Sequence, residues 1–397
     1  MKNINFRLAF CSLALFVAST NLKAQNSIET ILLQIEQNNK EIQANNALIN
    51  AQKLEVQTTN NLPDPQVSYA HVWNSKNSSE TIGELEITQS FDFPSLYFAR
   101  NKVKNLHIKG YNYQIEAVRQ SILLKAKSVC LDLKSLQQQK EILKERLTQT
   151  QKLYTIYQER LDKGDANILE TNKIKLELLN ATTEWQLKDK EWKNKQEELW
   201  VLNGNIPIEN LQIETTRTPF PQSFEEIKQV FLNEDYNLLA LHEELKANQK
   251  QITVNRSQWL PSLELGYKRN TEAGVYFNGI VVGFSVPIFA NRNKTKKAKA
   301  EALNTSLLKE VTYIQLESDL KQAYKEAEAL NETLKAYDDQ FVATSDLTLL
   351  YDALNGGQLS LIDFFTEASI IYKSQLNYIT LENQYEKALA LIYKYKL

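Results

Sequence analysis

The hydrophobic positions along the chain follow two different periods, and both periods occur in each half. Steps of three and four residues, typical of a coiled-coil helix, run through residues 115–147 and again through residues 316–341. Residues 66–93 and 262–287 instead alternate apolar and polar side chains, which is typical of β-strands. The pattern predicts a mainly α-helical chain with two β-hairpins.

The two halves are predicted to be structural repeats. The segment FDFPSLY corresponds to SVPIFAN, and LDKGDANILE corresponds to LNGGQLSLID. Pro94 to Pro287 and Gly164 to Gly357 are both offset by 193 positions, so the intervening stretches have equal length. We therefore predict repeat 1 over residues 25–205 and repeat 2 over residues 223–397, joined by a proline-containing linker over residues 206–222.

Each repeat is predicted to contain a long antiparallel helical hairpin. Between Pro94 and Gly164, and between Pro287 and Gly357, about 70 residues without proline predict a single helix of roughly 105 Å. After each glycine the apolar period resumes, so a second helix returns along the first. Glycine tolerates the backbone angles of a helix stop, which places the hairpin tips near Gly164 and Gly357.

The alternating segments predict four strands, over residues 66–73, 82–93, 262–270 and 276–286. Strands of about 9 to 11 residues cross a bilayer when they are tilted. The predicted apolar face carries Val67, Tyr69, Trp73, Leu85, Ile87, Phe91, Phe93, Leu263, Leu265, Tyr267, Ile280, Val282, Phe284 and Val286.

The opposite face of these strands is polar and includes Glu84, Glu86 and Glu264. An apolar outside and a polar inside predict a membrane barrel whose lumen these three acids line, although a sheet packed on a soluble core would alternate in the same way. Four strands cannot close a barrel with a lumen, and an open sheet leaves unpaired backbone groups in lipid. Three chains would pool 12 strands and close the edges, so a homotrimer is expected.

The N-terminus carries an export signal. An apolar segment over residues 8–17 follows Lys2 and Arg7 and precedes a cleavage site near Ala24, which predicts a signal peptide over residues 1–24. Cys11 follows Phe10 too early for a lipidation site, so we expect no lipid anchor. Removal of this peptide moves the net charge from −2 to −5, which disfavours a nucleic-acid partner.

The composition offers no catalytic or cofactor chemistry. The sequence has no HExxH motif, no glycine-rich phosphate loop and no G-x-S-x-G, so we predict that the chain is not an enzyme and binds no cofactor. The mature chain has no methionine, and its histidines at 71, 107 and 242 are far apart, so no metal site is predicted. Cys130 is expected to be a packed thiol.

These features resemble the TolC-like outer-membrane efflux proteins. The resemblance covers essentially the whole mature chain and rests on the duplicated order of helix, LPDPQVSY hairpin, FDFP segment, long helix, glycine tip and returning helix. LPDPQVSYAHVW followed by LEITQSFDFPSLYFARNK is most similar to the branch that accompanies heavy-metal pumps. The resemblance implies a homotrimeric exit duct in the outer membrane of a Gram-negative bacterium, with a long periplasmic extension.

The resemblance also implies partners and site residues. The duct would meet a periplasmic adaptor (membrane fusion) protein and an inner-membrane pump of the resistance-nodulation-division type. Adaptor contacts would fall at the tips, on Gly164, Asp165, Ala166, Gly357, Gln358, Leu359 and Ser360. Family members narrow the periplasmic mouth with acids six and nine positions after the second glycine; the matching residues are Asp363 and Thr366, with Glu367 beside it and Glu170 as the first-repeat counterpart of Asp363.

The residues alone leave alternatives open for the role of Asp363, for the cargo and for the class of protein. Asp363 would attract cations in a narrow mouth, or would stabilise the N-terminus of its helix. The cargo would be heavy-metal cations, or drugs and other organic solutes, or a protein in type I secretion. A non-channel alternative is a periplasmic coiled-coil adaptor or scaffold, which would explain the heptads but not the two hairpins bounded by prolines.

Overall fold

The computed structural model describes residues 27–77, 80–209, 213, 216–344 and 347–397. The predicted signal peptide over residues 1–24 lies outside the described residues. The segment predicted as repeat 1 contains α1 (Ile28–Asn38), α2 (Lys40–Thr58), β1 (Gln66–Trp73), β2 (Thr81–Phe91), α3 (Pro94–Asp162) and α4 (Ile168–Leu202). The segment predicted as repeat 2 contains α5 (Phe224–Asn233), α6 (Tyr236–Ser257), β3 (Ser262–Glu272), β4 (Val275–Ser285), α7 (Lys294–Thr344), α8 (Leu347–Asn355) and α9 (Leu361–Ile392), then a short 3-10 helix (Lys394–Lys396).

The long helix of repeat 1 agrees with the prediction. Helix α3 is 69 residues long, which corresponds to roughly 104 Å. Pro94 stands at its first position, where the missing N–H costs no helical hydrogen bond. Helix α4 then returns along α3, as the resumed apolar period predicts.

The long helix of repeat 2 differs from the prediction at its start. Residues 288–293 form bends and turns, and α7 begins only at Lys294. Asn293 has φ +66°, outside the helical region, and the side-chain amide of Asn291 donates to the carbonyl oxygen of Gln258. This side-chain contact ties the turn to the end of α6 and delays the helix, so a single helix starting directly after Pro287 is wrong. Whether α7 continues into α8 depends on residues 345–346, which lie outside the described residues.

The four strands form one antiparallel sheet in the order β1-β2-β3-β4. Both hairpins lie within two residues of their predicted bounds, and β2 pairs with β3, which joins the two repeats in one sheet. At the tip of the second hairpin Ala273 and Gly274 both have positive φ, as a two-residue hairpin turn of type I′ requires. Strands β1 and β4 are the free edges of the sheet.

The register puts the apolar side chains on one face, as the alternation predicts. Tyr267 lies opposite Ile87 on one side and Ile280 on the other, and side chains directly opposite each other share a face. This face is open in the single chain: Ile280 is 85% exposed and Phe284 is 76% exposed. The sheet therefore presents a broad apolar surface that no other part of the described chain covers.

The core lies between the helices along the predicted seams. Helix α3 contacts α4, α6, α9, α2 and α1, and α7 contacts α6 and α9. The buried seam residues are Ile122, Ala126, Val129, Leu133 and Leu143 in α3, and Leu320, Ala323, Ala327 and Leu334 in α7. The apolar spacing thus predicted correctly which sides of the two long helices are buried. None of the described helices carries an apolar stretch long enough to cross a membrane.

Candidate functional site: helical tips, tip-proximal acids and the polar face of the sheet

Both helical tips end in the same backbone motif. Gly164 has φ +77° and its N–H donates to the carbonyl of Leu161, while the N–H of Asp165 reaches back to Arg160 at 2.8 Å. Gly357 has φ +71°, and the N–H groups of Gly357 and the next residue make the equivalent bonds to α8. This arrangement satisfies the last carbonyls of a helix and favours glycine because of the left-handed backbone.

The tips of the two hairpins lie at the same end of the molecule. One apolar cluster combines Leu153 of α3 and Ile174 of α4 with residues of α8 and α9, among them Leu361 and Phe364. The predicted adaptor-contact residues lie at the surface of this end: Gly164, Asp165, Gly357, Gln358 and Ser360 are exposed, and Ala166 and Leu359 are half-buried. The structure therefore brings the two sets of tip residues into one region, although they are distant in sequence.

Glu170 and Asp363 each contact the N-cap residue of the helix that follows a tip. Glu170 Oε2 accepts the N–H of Asn167 at 3.2 Å, and the side chain of Asn167 in turn accepts the N–H of Leu169. Asp363 Oδ2 accepts the hydroxyl of Ser360 at 2.6 Å, and the backbone N–H of Asp363 donates to the same hydroxyl. Both carboxylates are exposed and stand near the positive end of a helix dipole, a position compatible with the alternative that Asp363 stabilises the N-terminus of its helix.

Asp363, Thr366 and Glu367 share one face of α9. They are spaced by three and four residues, and all three are exposed, whereas Leu361, Phe364 and Ala368 on the opposite side are buried. The hydroxyl of Thr366 donates to the carbonyl of Ile362 at 2.8 Å. Asp363 and Glu367 thus form an acidic pair on one exposed surface, in which Thr366 supplies no charge.

Two charged contacts near this end were not predicted from the sequence. Arg146 of α3 pairs with Glu177 and, at 2.7 Å, with Glu184 of α4, and its guanidinium lies 5.6 Å from the ring centre of Tyr372 in α9. Side chains from three helices therefore meet at Arg146. The residues are remote in sequence, and no short motif indicates their contact.

A second polar junction lies farther along the same three helices. Asp132 of α3 accepts hydrogen bonds from Asn383 at 2.9 Å and Lys387 at 3.0 Å, both in α9, and lies 3.3 Å from Lys195 of α4. Burial alone would raise the pKa of Asp132, but the bonds from Asn383 and Lys387 outweigh it and the pKa is lowered. The Asp132 junction links repeat 1 to repeat 2.

The polar face of the sheet carries the three predicted lumen acids. Lys268 Nζ lies 3.3 Å from Glu84 Oε2 and 3.9 Å from Glu86 Oε2, so one lysine partly balances two acids. Glu264 lies on the same face, and its carboxylate sits over Gly283, where an added Cβ would be 3.2 Å from Oε2. The face is therefore net acidic around these residues.

The histidines and the cysteine offer no common site. His71 lies on β1, His107 on α3 and His242 on α6, and the part of the chain that the structure describes contains no group of three or more His, Cys, Asp or Glu suited to a metal ion. Burial lowers the pKa of His107, and burial together with Lys309 lowers that of His242. Cys130 is fully buried, and burial raises its pKa to about 12, as expected for a packed thiol.

Comparison with known proteins identifies this architecture. Residues 228–395 match the family model for the outer membrane efflux protein. No curated protein matches the chain. The solved structure of CusC superposes with a TM-score of 0.77 at 15% identity and covers 94% of this chain and 92% of its own.

Two further structures are similar. The outer membrane channel CmeC of Campylobacter jejuni has a TM-score of 0.75 at 14% identity, with 93% of this chain and 85% of that chain covered. The outer membrane channel MtrE of Neisseria gonorrhoeae has a TM-score of 0.74 at 13% identity, with 93% and 88% covered. The chain therefore has the fold of outer-membrane efflux channels, which confirms the predicted combination of long helices and a four-stranded sheet. The family match also agrees with the prediction that the protein is not an enzyme.

Proposed function

We propose that the protein is the outer-membrane exit duct of a tripartite efflux assembly and acts as a homotrimer. The observation that carries this proposal is the four-stranded sheet, which combines an exposed apolar face with two open edges. In a single chain both the apolar face and the strand edges stay uncovered. Unpaired strand edges and broad apolar surfaces favour association. The likeness to known efflux channels supports the same conclusion.

The directions of the strands allow closure by rotation. Neighbouring strands are antiparallel, so β4 of one chain runs opposite to β1 of the next and can pair with it in the same sense as the existing pairs. Three copies would give a closed 12-stranded barrel, with the apolar face toward lipid and the face of Glu84, Glu86 and Glu264 toward the lumen.

The helices also present surfaces that copies of the chain would cover. Along α7, Leu303, Leu307, Val311 and Ile314 are each more than half exposed and are spaced by three or four residues. An exposed apolar stripe of this kind packs against a neighbouring helix in a coiled coil. Assembly of three chains would bury these stripes while it closes the sheet.

The proposed partners contact the two ends of the molecule, the helical tips at one end and the sheet at the other. A periplasmic adaptor would contact the tips around Gly164 and Gly357, and an inner-membrane pump of the resistance-nodulation-division type would deliver the substrate. The sheet would lie in outer-membrane lipid. Export by the predicted signal peptide, without lipidation, belongs to this proposal.

The proposed cargo is heavy-metal cations. The acids near the tips, Asp363 and Glu367, and the net acidic face of the sheet would favour cations over anions along the path. A passive duct requires no resident metal site, so the separation of the histidines is compatible with this cargo.

Pore formation and membrane location test the duct. We expect the mature chain to be extracted only by detergent, to have the mass of a trimer, and to give stepwise conductance in planar lipid bilayers. A monomer that is recovered from the soluble periplasm and forms no pore would overturn the proposal in favour of an adaptor or scaffold.

Growth of a deletion strain tests the cargo separately. We expect lower tolerance to copper or zinc, restored by the wild-type gene, with unchanged tolerance to organic antibiotics. The reverse pattern, increased antibiotic sensitivity with unchanged metal tolerance, would overturn the metal cargo and leave the duct intact. Loss of a secreted protein alone would indicate type I secretion.

A further inference from the structure

The apolar face of the sheet carries one arginine and no lysine among its strand residues. Arg269 lies directly opposite Leu85 on β2 and Asn278 on β4, so it shares the face of the apolar residues. It is the one lysine or arginine among the strand residues of that face, because Lys268 belongs to the opposite face. The free-energy cost of a charge on a lipid-facing surface is largest at the membrane centre and small near the headgroups. The depth of Arg269 in the membrane therefore matters.

Arg269 stands at the border between two parts of this face. On the side of the helices, the rows around Tyr267 and Leu265 are apolar and exposed. On the side of the hairpin turns, Thr271 and His71 occupy the next row. From Val286 to the row of Arg269 the chain rises roughly 26 Å, which the tilt of a barrel strand shortens to roughly 20 Å, close to the roughly 25 Å apolar band of a membrane barrel. In the proposed barrel the arginine would therefore lie near the border between the apolar band and the headgroups, on the side of the turns.

The guanidinium of Arg269 is oriented but not neutralised. Its central carbon lies 4.0 Å from the ring centre of Tyr276, which is nearer the turn than Arg269. No acid pairs with Arg269 among the described residues, whereas Arg100 pairs with Asp92 at 2.6 Å. Stacking on an aromatic ring holds the planar group in place and leaves its N–H donors available.

Asn278 supplies a second donor beside the arginine. Its side-chain oxygen accepts the hydroxyl of Tyr267 at 2.5 Å, which leaves the amide N–H groups without a protein acceptor among the described residues. Directly opposite residues have Cβ atoms about 5 Å apart, so the amide and the guanidinium are neighbours. Fixed guanidinium and amide donors suit an anion with several oxygens, and phosphate is such an anion.

We propose that Arg269 and Asn278 bind the phosphate of a phosphorylated lipid headgroup in the outer leaflet of the membrane. The proposal rests on the proposed function, in which the sheet lies in the outer membrane with its apolar face toward lipid. The acyl chains of such a lipid would lie along the exposed rows around Tyr267 and Leu265, and its phosphate would compensate the charge of Arg269. A lipid is favoured over a free anion because the donors stand at the edge of an apolar surface.

Native mass spectrometry of the detergent-purified full-length mature protein tests the site. The probes are diphosphorylated lipid A and the same lipid after removal of its phosphates. We expect the wild-type protein to bind the phosphorylated lipid at least roughly tenfold more tightly, as the loss of charge-assisted hydrogen bonds predicts. Arg269→Gln should lose this preference, and Arg269→Lys should retain part of it.

Lys268→Gln is the matched control, because it removes a charge from the adjacent position on the opposite face. It should leave the preference for phosphorylated lipid unchanged. Equal affinity of wild type and Arg269→Gln, or an equal loss in Lys268→Gln, would overturn the lipid site. Displacement of the lipid by millimolar inorganic phosphate would also overturn it, in favour of a free-anion site. A wild-type protein that conducts in bilayers but shows no phosphate preference would refute this inference and leave the duct in place.

Discussion

Glu170 and Asp363 occupy the same position after the two tips, the third residue of the helix that follows, and each carboxylate accepts a hydrogen bond from the N-cap residue of its own helix. Glu170 accepts the backbone N–H of Asn167, and Asp363 accepts the hydroxyl of Ser360. Although the donor differs, both contacts give the acids near the tips a structural role that exists in the single chain, before any assembly. Their proposed role at a narrow mouth has to be separated from this capping role by experiment.

Asp363→Asn separates the two roles. The amide oxygen of the variant can still accept the Ser360 hydroxyl, so we expect a change in stability within about 0.5 kcal/mol. The charge is lost, so we expect a lower preference for cations over anions in single-channel reversal potentials. Ser360→Ala is the complementary control, which should cost about 1 kcal/mol without changing selectivity. Unchanged ion selectivity in Asp363→Asn would mean that Asp363 has only a structural role at the N-terminus of α9.

The tip glycines are required for their backbone angles. No atom lies within 4 Å of an added Cβ at Gly164 or Gly357, so there is room for a side chain. Positive φ still disfavours alanine, and we expect Gly357→Ala to lower the unfolding free energy by about 1–2 kcal/mol. Gly357→Asn should cost less, because asparagine visits this region more readily. Thermal unfolding in detergent measures both, and equal stability of wild type and alanine variant would contradict the interpretation.

The contacts of Arg146 should contribute measurably to stability. Arg146→Met leaves Glu177, which is mostly buried, without its partner, and we expect a loss of about 1–3 kcal/mol in urea unfolding. Removing both charges in Arg146→Met with Glu177→Met should recover part of that loss. Lys188→Met is the exposed control, since its pair with Glu191 on the helix surface should be worth less than about 0.5 kcal/mol. Similar losses in Arg146→Met and the control would refute the prediction.

The Asp132 junction predicts a pH dependence. Because the pKa of Asp132 is lowered in the folded protein, its charged form stabilises the fold above the unfolded pKa of about 3.9, and this contribution disappears as the pH falls through the folded pKa. Asp132→Asn should therefore be less stable than wild type at pH 7, and the difference should shrink below about pH 4. Urea midpoints of both proteins between pH 3 and 7 test this, with Glu191→Gln as an exposed control that should show no such trend.

Cys130 should be chemically inert in the folded protein. Its side chain is fully buried, and burial raises its pKa to about 12, so both access and thiolate formation are suppressed at pH 7. We expect a maleimide reagent to label Cys130 only after denaturation, as measured by intact mass. Labelling of the native protein within minutes would show that the core around the middle of α3 opens.

The sequence by itself determined the periodic features of this protein. The heptad spacing identified the buried sides of α3 and α7, and the alternation in β1 to β4 identified the two faces of the sheet, because a period of 3.6 or 2 residues depends only on local geometry. The equal spacing of Pro94, Gly164 and their counterparts in repeat 2 located both tips. These features are local or repeated, and so they can be predicted from the sequence without knowledge of the tertiary contacts.

Only the tertiary structure decided the contacts between distant segments. Arg146 meets Glu177, Asp132 meets Lys387, and Asn291 holds the turn that delays α7 until Lys294. Lone charged or polar residues give no periodic signal, since their partners lie on other helices whose relative rotation is set by packing. Alternation alone places Arg269 on the apolar face, but its neighbours Asn278 and Tyr276 became visible only through the register of β3 and β4.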